Sequence, residues 1–176
     1  MVDGLLRCSR WGGVTLNAII WPAPPTRDNF DSPTLGLPWN FRGNPSPAHW
    51  PLTNRPGRLQ LVCAEDDLNA PMLKSFVGRR QEHLECEVST SLKLLPTRSG
   101  EEAGLVVFIN ERHHYEIFVT DGTVAGDRKV NVWRRIRDLT AIVASTTFSN
   151  MAVTLSIVAT EDRYVFAWFD YKEPDA

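Results

Sequence analysis

Residues 103–122 read AGLVVFINERHHYEIFVTDG, and this stretch decides the fold. Ala103 to Ile109 is a short, nearly continuous apolar run rich in Val and Phe, which suits a buried strand better than a helix. Asn110, Glu111 and Arg112 interrupt it. Beyond the break, Tyr115, Ile117 and Val119 alternate with His114, Glu116 and Thr120, the two-residue period of a strand with one face inward and one face wet. Asp121 and Gly122 end it with a turn pair that tolerates positive φ. Two such strands form a hairpin. An isolated hairpin is marginal in water, so its apolar face requires a second layer.

The second layer is legible on both sides. Upstream, Leu84, Cys86, Val88, Thr90, Leu92 and Leu94 alternate with Glu85, Glu87, Ser89, Ser91 and Lys93, and Arg58 to Cys63 shows a shorter alternation. Downstream, Lys129 to Ile136, Leu139 to Ser145, Met151 to Thr160 and Arg163 to Asp170 each carry strand patterning, with turn residues between them. Some eight strands and no segment of helical period predict an antiparallel β-sandwich.

The 176 residues make one domain by length. Residues 1–26 read as an irregular leader and Pro-rich linker, with Pro22, Pro24 and Pro25 at its end, and the domain proper spans residues 27–176. From Asp28 to about Arg58, prolines, glycines and asparagines separate aromatic residues, which excludes a regular helix. With 19 basic and 21 acidic residues and no long block of either sign, nothing marks a nucleic-acid or anionic-membrane partner. The apolar run Val14 to Trp21 is far shorter than a membrane span, and no signal-peptide pattern stands out. Cys8, Cys63 and Cys86 lack metal-ligand spacing. The phase of Cys63 and Cys86 with apolar neighbours predicts core thiols, and a disulfide between them stays open.

Candidate chemistry is sparse. Glu85 and Glu87 share the outer face of one strand, the ordinary solvated face of a half-buried sheet, and do not single themselves out as a catalytic carboxylate pair. His113 and His114 are adjacent in a strand and point to opposite faces, so they cannot easily share one metal ion. A histidine at this point is expected to be exposed or hydrogen-bonded. Asp28, Asp31, Asp66 and Asp67 fall in loops where hard oxygen ligands would suit a calcium ion at the sandwich rim. Of the aromatic residues, Trp39 and Trp168 read as core. Trp133 is out of phase with Val130 and Val132 and precedes Arg134 and Arg135, so it is a candidate for an exposed contact, since an aromatic face packs on the apolar face of a sugar ring.

The blocks FDSPTLGLPWNFRGNP, WPLTNRPGRLQL, FVGRRQEHLECEV and EEAGLVVFINERHHYEIFV together resemble the C-terminal concanavalin A-like β-sandwich of family 43 glycoside hydrolases, a family of β-xylosidases and α-arabinofuranosidases. The blocks follow the family's order across about Asp28 to Asp170. The resemblance implies a two-sheet jelly roll that packs, in the full enzymes, on a five-bladed propeller carrying the catalytic acids. It implies an accessory domain of xylan degradation with no catalytic residue of its own, hence an isolated chain expected to be inactive. The alternative is a free-standing carbohydrate-binding module. In either role the polar strip Arg79, Arg80 and Gln81, with Trp133, is expected to face the propeller or a xylo-oligosaccharide. Such domains continue past the strand matching Arg163–Asp170 into a closing strand, and with Ala176 the last residue here an unpaired sheet edge is expected.

Overall fold

A computed structural model describes residues 25–95, 98–122 and 126–171; the expected leader lies almost wholly outside them. Two antiparallel sheets stack face to face. One has four strands, in the order β4 (Glu102–Asn110), β5 (His113–Asp121), β6 (Arg128–Ile136) and β7 (Leu139–Phe148); the other has three, in the order β3 (Cys86–Leu92), β8 (Val153–Ala159) and β9 (Tyr164–Asp170). A two-residue pair, β1 (Trp39–Asn40) with β2 (Gly78–Arg79), ties the irregular upstream chain together. This is an antiparallel two-layer β-sandwich, as the alternating pattern predicts, and it fits the concanavalin A-like jelly roll that the resemblance implies.

Period-two patterning places one set of side chains between the sheets. Ile117 and Val119 of β5, Val130 of β6, Phe148 of β7 and Val153, Leu155 and Ile157 of β8 form the buried core, with Leu105, Val107, Val132, Phe166 and Trp168 packed against it. Deleting a buried aliphatic side chain from such a cluster costs about 2–5 kcal/mol. Register is pinned at Gly104, opposite Phe118. A Cβ there would lie 2.0 Å from the Ile117 carbonyl oxygen and 2.6 Å from the Phe118 Cα, so only glycine lets β4 approach β5 this closely.

The chain before β3 forms a third layer, a strap of turns and extended pieces with a single 3₁₀ turn at Pro47–His49. Leu52 and Leu73 are buried within it. Asp28 fastens its start, accepting hydrogen bonds from the Phe30 amide at 2.8 Å and the Trp39 indole at 2.7 Å, while Phe30 packs at a tilt against Trp39 and Phe41 against Trp50. Trp39 therefore belongs to the strap, and Trp168 to the sandwich core. Arg58 to Cys63 is not a strand: it is tied into the strap by a bond from the Val62 amide to the His49 carbonyl at 2.9 Å and by the Ser75 hydroxyl, which donates to the Val62 carbonyl. Cys63 is exposed there and unbridged, and Cys86 is half-buried and also free. The predicted core role of Cys63 fails because its apparent alternation belongs to a loop with no sheet partner.

The strap also overturns one expectation for β5. His114 is 0% exposed and Glu116 8%, although both sit on the face that alternation assigns to water. That face is closed from above. Phe76 of the strap packs on Phe108 of β4 at 5.7 Å, Arg42 lies 4.7 Å over the same ring, and Arg135 of β6 hydrogen-bonds Asn69.

Candidate functional site

The outer face of the four-stranded sheet gathers most of the buried polar chemistry. His114 is set between Phe108 and Trp133, with ring centroids 5.8 and 5.5 Å away. Its Nδ1 lies 3.2 Å from the Asn110 carbonyl oxygen. A carbonyl only accepts, so the Nδ1 carries the proton and Nε2 presents a bare lone pair in the neutral ring. Glu116 Oε1 is 3.3 Å from that Nε2, without the alignment of a hydrogen bond. Burial, then the negative charges of Glu102 and Asp67, push the Glu116 carboxyl up to about 8. Burial pushes the His114 imidazole down, against the Asn110 hydrogen bond and with help from Arg135 and Arg42. Both causes favour a neutral acid beside a neutral base over a buried ion pair, whose desolvation would exceed much of its Coulombic gain.

Arg42 latches the strap over this pair. It forms an ion pair with Glu111 in the β4–β5 turn, donates from Nε to the Pro71 carbonyl at 3.2 Å and rests on Phe108. The turn backbone and Arg42 both hold the Glu111 carboxyl below its ordinary range. Burial and Asp67 raise that of Glu102. The site can hold a proton under a cover, with the carboxyls of Glu102 and Asp67 near enough to bear on Glu116.

The residues singled out in sequence fall in separate places. Trp133 is half-buried against His114 on the outer face. Arg79 pairs with Trp39 across β1–β2 and donates to the Pro25 carbonyl at 2.9 Å, and Arg80 is exposed beside it. Gln81 reaches the other side of the four-stranded sheet, where its Oε1 accepts from the Tyr164 hydroxyl at 3.3 Å. There it lines a cleft of ≈ 380 Å³ with Leu84, Tyr115, Tyr164 and Phe166 and the β8–β9 turn. The strip and Trp133 therefore do not form one surface. Of the loop aspartates, Asp28 is engaged as described, Asp66 pairs with Lys74 at 3.3 Å, and Asp67 accepts from the Asn69 amide at 2.9 Å and side chain at 2.8 Å. Among the described residues no group of three or more His, Cys, Asp or Glu is arranged around a common metal position. The His114–Glu116 pair escapes sequence reasoning because nothing in a period-two pattern tells a wet face from one covered by a distant loop. The aromatic residues of 28–58 were the available signal, since they must pack on something.

With this geometry in view, the model of the β-xylosidase C-terminal concanavalin A-like domain matches residues 27–175. The chain belongs to that family. Its members here are parts of larger proteins. The domain is 36% identical over 151 residues to the non-reducing end α-L-arabinofuranosidase BoGH43B of Bacteroides ovatus, covering 84% of this chain and 28% of that protein. It is 33% identical to a xylan 1,3-β-xylosidase of a Vibrio species, covering 68% of this chain and 22% of that one. Among solved structures, xylan β-1,4-xylosidase from Bacillus halodurans superposes with a TM-score of 0.77 at 25% identity, over 90% of this chain and 31% of that one. The concanavalin A-like domain thus spans under a third of the proteins it matches.

Proposed function

We propose that this concanavalin A-like domain is the accessory partner of a family 43 catalytic propeller, packing against it and shaping the entrance to its active site in the degradation of xylan-type hemicellulose. The observation that carries this is the family match over 27–175, together with the small share of each xylosidase or arabinofuranosidase that the domain covers. The strap supplies a suitable contact surface. Leu37 is 100% exposed at a turn two residues before Trp39, which pairs with Arg79, and Met72 is also exposed. Exposed apolar tips with a polar surround are what a partner surface covers.

The test mixes the purified chain with a separately expressed family 43 propeller and follows hydrolysis of aryl β-xylosides and α-arabinofuranosides. The expected result is no turnover by the chain alone, and a changed kcat/KM when it is added to the propeller. An unchanged propeller, or hydrolysis by the chain alone, contradicts the proposal. The Gln81 cleft favours a second role, direct binding of xylo-oligosaccharides on the Tyr115, Tyr164 and Phe166 side chains. Calorimetric titration separates the two, and a response that survives Tyr164→Ala rules the cleft out as its seat.

A further inference from the structure

Under the strap, two buried polar atoms without a hydrogen bond face each other. His114 Nε2 and Glu116 Oε1 are both sealed from solvent and unsatisfied among the described residues, yet they stand 3.3 Å apart. Buried polar atoms are ordinarily satisfied, and an orphaned pair calls for a species that both can hold.

The two atoms are placed as ligands of one ion are. Bonds of about 2.0–2.1 Å from imidazole nitrogen and carboxylate oxygen, opened at the tetrahedral angle, set two donors about 3.3–3.4 Å apart, which matches the separation found. The far side of the ring is anchored as it is in metal-binding histidines, whose other N–H donates to a carbonyl or carboxylate and so fixes the tautomer. Here Nδ1 lies 3.2 Å from the Asn110 carbonyl oxygen, and Phe108 and Trp133 hold the ring between them. The surrounding charge also favours a cation. Glu102 and Asp67 both bear on Glu116. Of the two guanidinium groups that bear on His114, Arg42 is neutralised by Glu111, which leaves only Arg135 to oppose three carboxyls.

We infer that His114 Nε2 and Glu116 Oε1 bind a divalent cation of borderline softness, of the Zn²⁺ type, beneath the strap, with water in its remaining positions and Glu102 and Asp67 beyond that water. An imidazole nitrogen beside a carboxylate selects Zn²⁺ or Co²⁺ over Ca²⁺ and Mg²⁺, which take oxygen sets. Among the described residues no third His, Cys, Asp or Glu shares the position, so the ion is an exchangeable one. As it binds, the Glu116 O–H bond breaks, the proton leaves to solvent and the carboxylate takes the metal in its place; loss of the ion returns the proton.

The test uses the full 176-residue chain, stripped with EDTA, dialysed and titrated with CoCl₂ at pH 7, where Glu116 still carries its proton. The expected result is the intense visible absorption of four-coordinate Co²⁺, abolished when Zn²⁺ displaces it, with close to one proton released per ion bound. Glu116→Gln keeps the side chain's shape, and its fold is checked by circular dichroism. It should weaken Co²⁺ binding by roughly tenfold or more, since even groups that only support a ligand are worth that much. His83→Gln, at an exposed histidine away from the pair, should bind as the wild type does. Zn²⁺ should raise the urea midpoint of the wild-type chain and leave that of Glu116→Gln in place. No visible band, the pale spectrum of six-coordinate Co²⁺, equal binding by Glu116→Gln or an equal loss in His83→Gln overturns the proposal.

Discussion

Replacing Glu116 by Gln removes one ionisable proton from beneath the strap while keeping the side chain's shape. In the unfolded chain the carboxyl ionises near 4.5, in the folded chain only near about 8. Between these values the native state holds a proton that the unfolded state has released, so stability falls as pH rises. It is fully present below 4.5 and lost by about 8. The loss approaches about 1.4 kcal/mol for each pH unit crossed, or about 4 kcal/mol from pH 5 to pH 8, a large part of the roughly 5–15 kcal/mol of a typical domain. A glutamine cannot ionise, and its amide can donate to the bare Nε2 of His114. Urea unfolding followed by tryptophan fluorescence should find the two proteins within about 1 kcal/mol of each other at pH 5 and the variant more stable by several kcal/mol at pH 8. His114 contributes with the opposite sign: its depressed imidazole favours the folded state above the ordinary value of 6.5 and withdraws that support as pH falls. Parallel stability profiles at pH 5, 6.5 and 8 would refute the neutral-pair assignment and show that Glu116 is ionised throughout.

Two further substitutions probe the layers separately. Gly104→Ala places a methyl group 2.0 Å from the Ile117 carbonyl oxygen, so β4 must shift; a loss of about 1–3 kcal/mol is expected, read as a lower urea midpoint, and an unchanged midpoint contradicts the close approach. Arg42→Ala releases Glu111, Pro71 and Phe108 together and should cost about 2–3 kcal/mol. By admitting water it should also pull the Glu116 transition below about 8; a transition that stays in place would mean the strap does not depend on this latch.

What the sequence discloses follows from where periodicity operates. β3, β5, β6 and β8 were legible because each faces a core on one side, so alternation of apolar with polar residues marks the strand, and β9 was legible from Tyr164, Phe166 and Trp168 set against Val165, Ala167 and Phe169. β4 is half-right: the apolar run correctly marks a strand, yet Ile109 is 67% exposed at its end, where a bulge between Phe108 and Asn110 shifts the register. The strap was not legible as a layer. It buries Leu52 and Leu73 without a repeat, and Arg58 to Cys63 imitates a strand over six residues without any neighbour to pair with. For the same reason the covered pair His114 and Glu116 looked like solvated positions. Their burial is decided by Arg42 and Phe76, dozens of residues away, through contacts that no local pattern encodes. The placement of Gln81 and Trp133 on opposite sides of one sheet is equally a matter of tertiary path.

Because loops rather than sheet residues roof the broad outer face, whatever approaches the molecule from that direction touches turns such as Gly36–Leu37–Pro38 and the Ala70–Met72 corner. Insertions and substitutions in those turns are decoupled from the Ile117–Leu155 interior, which keeps its own packing whichever tips are grafted above it. Change on this side therefore carries little thermodynamic expense, in the manner of variable loops on a constant framework.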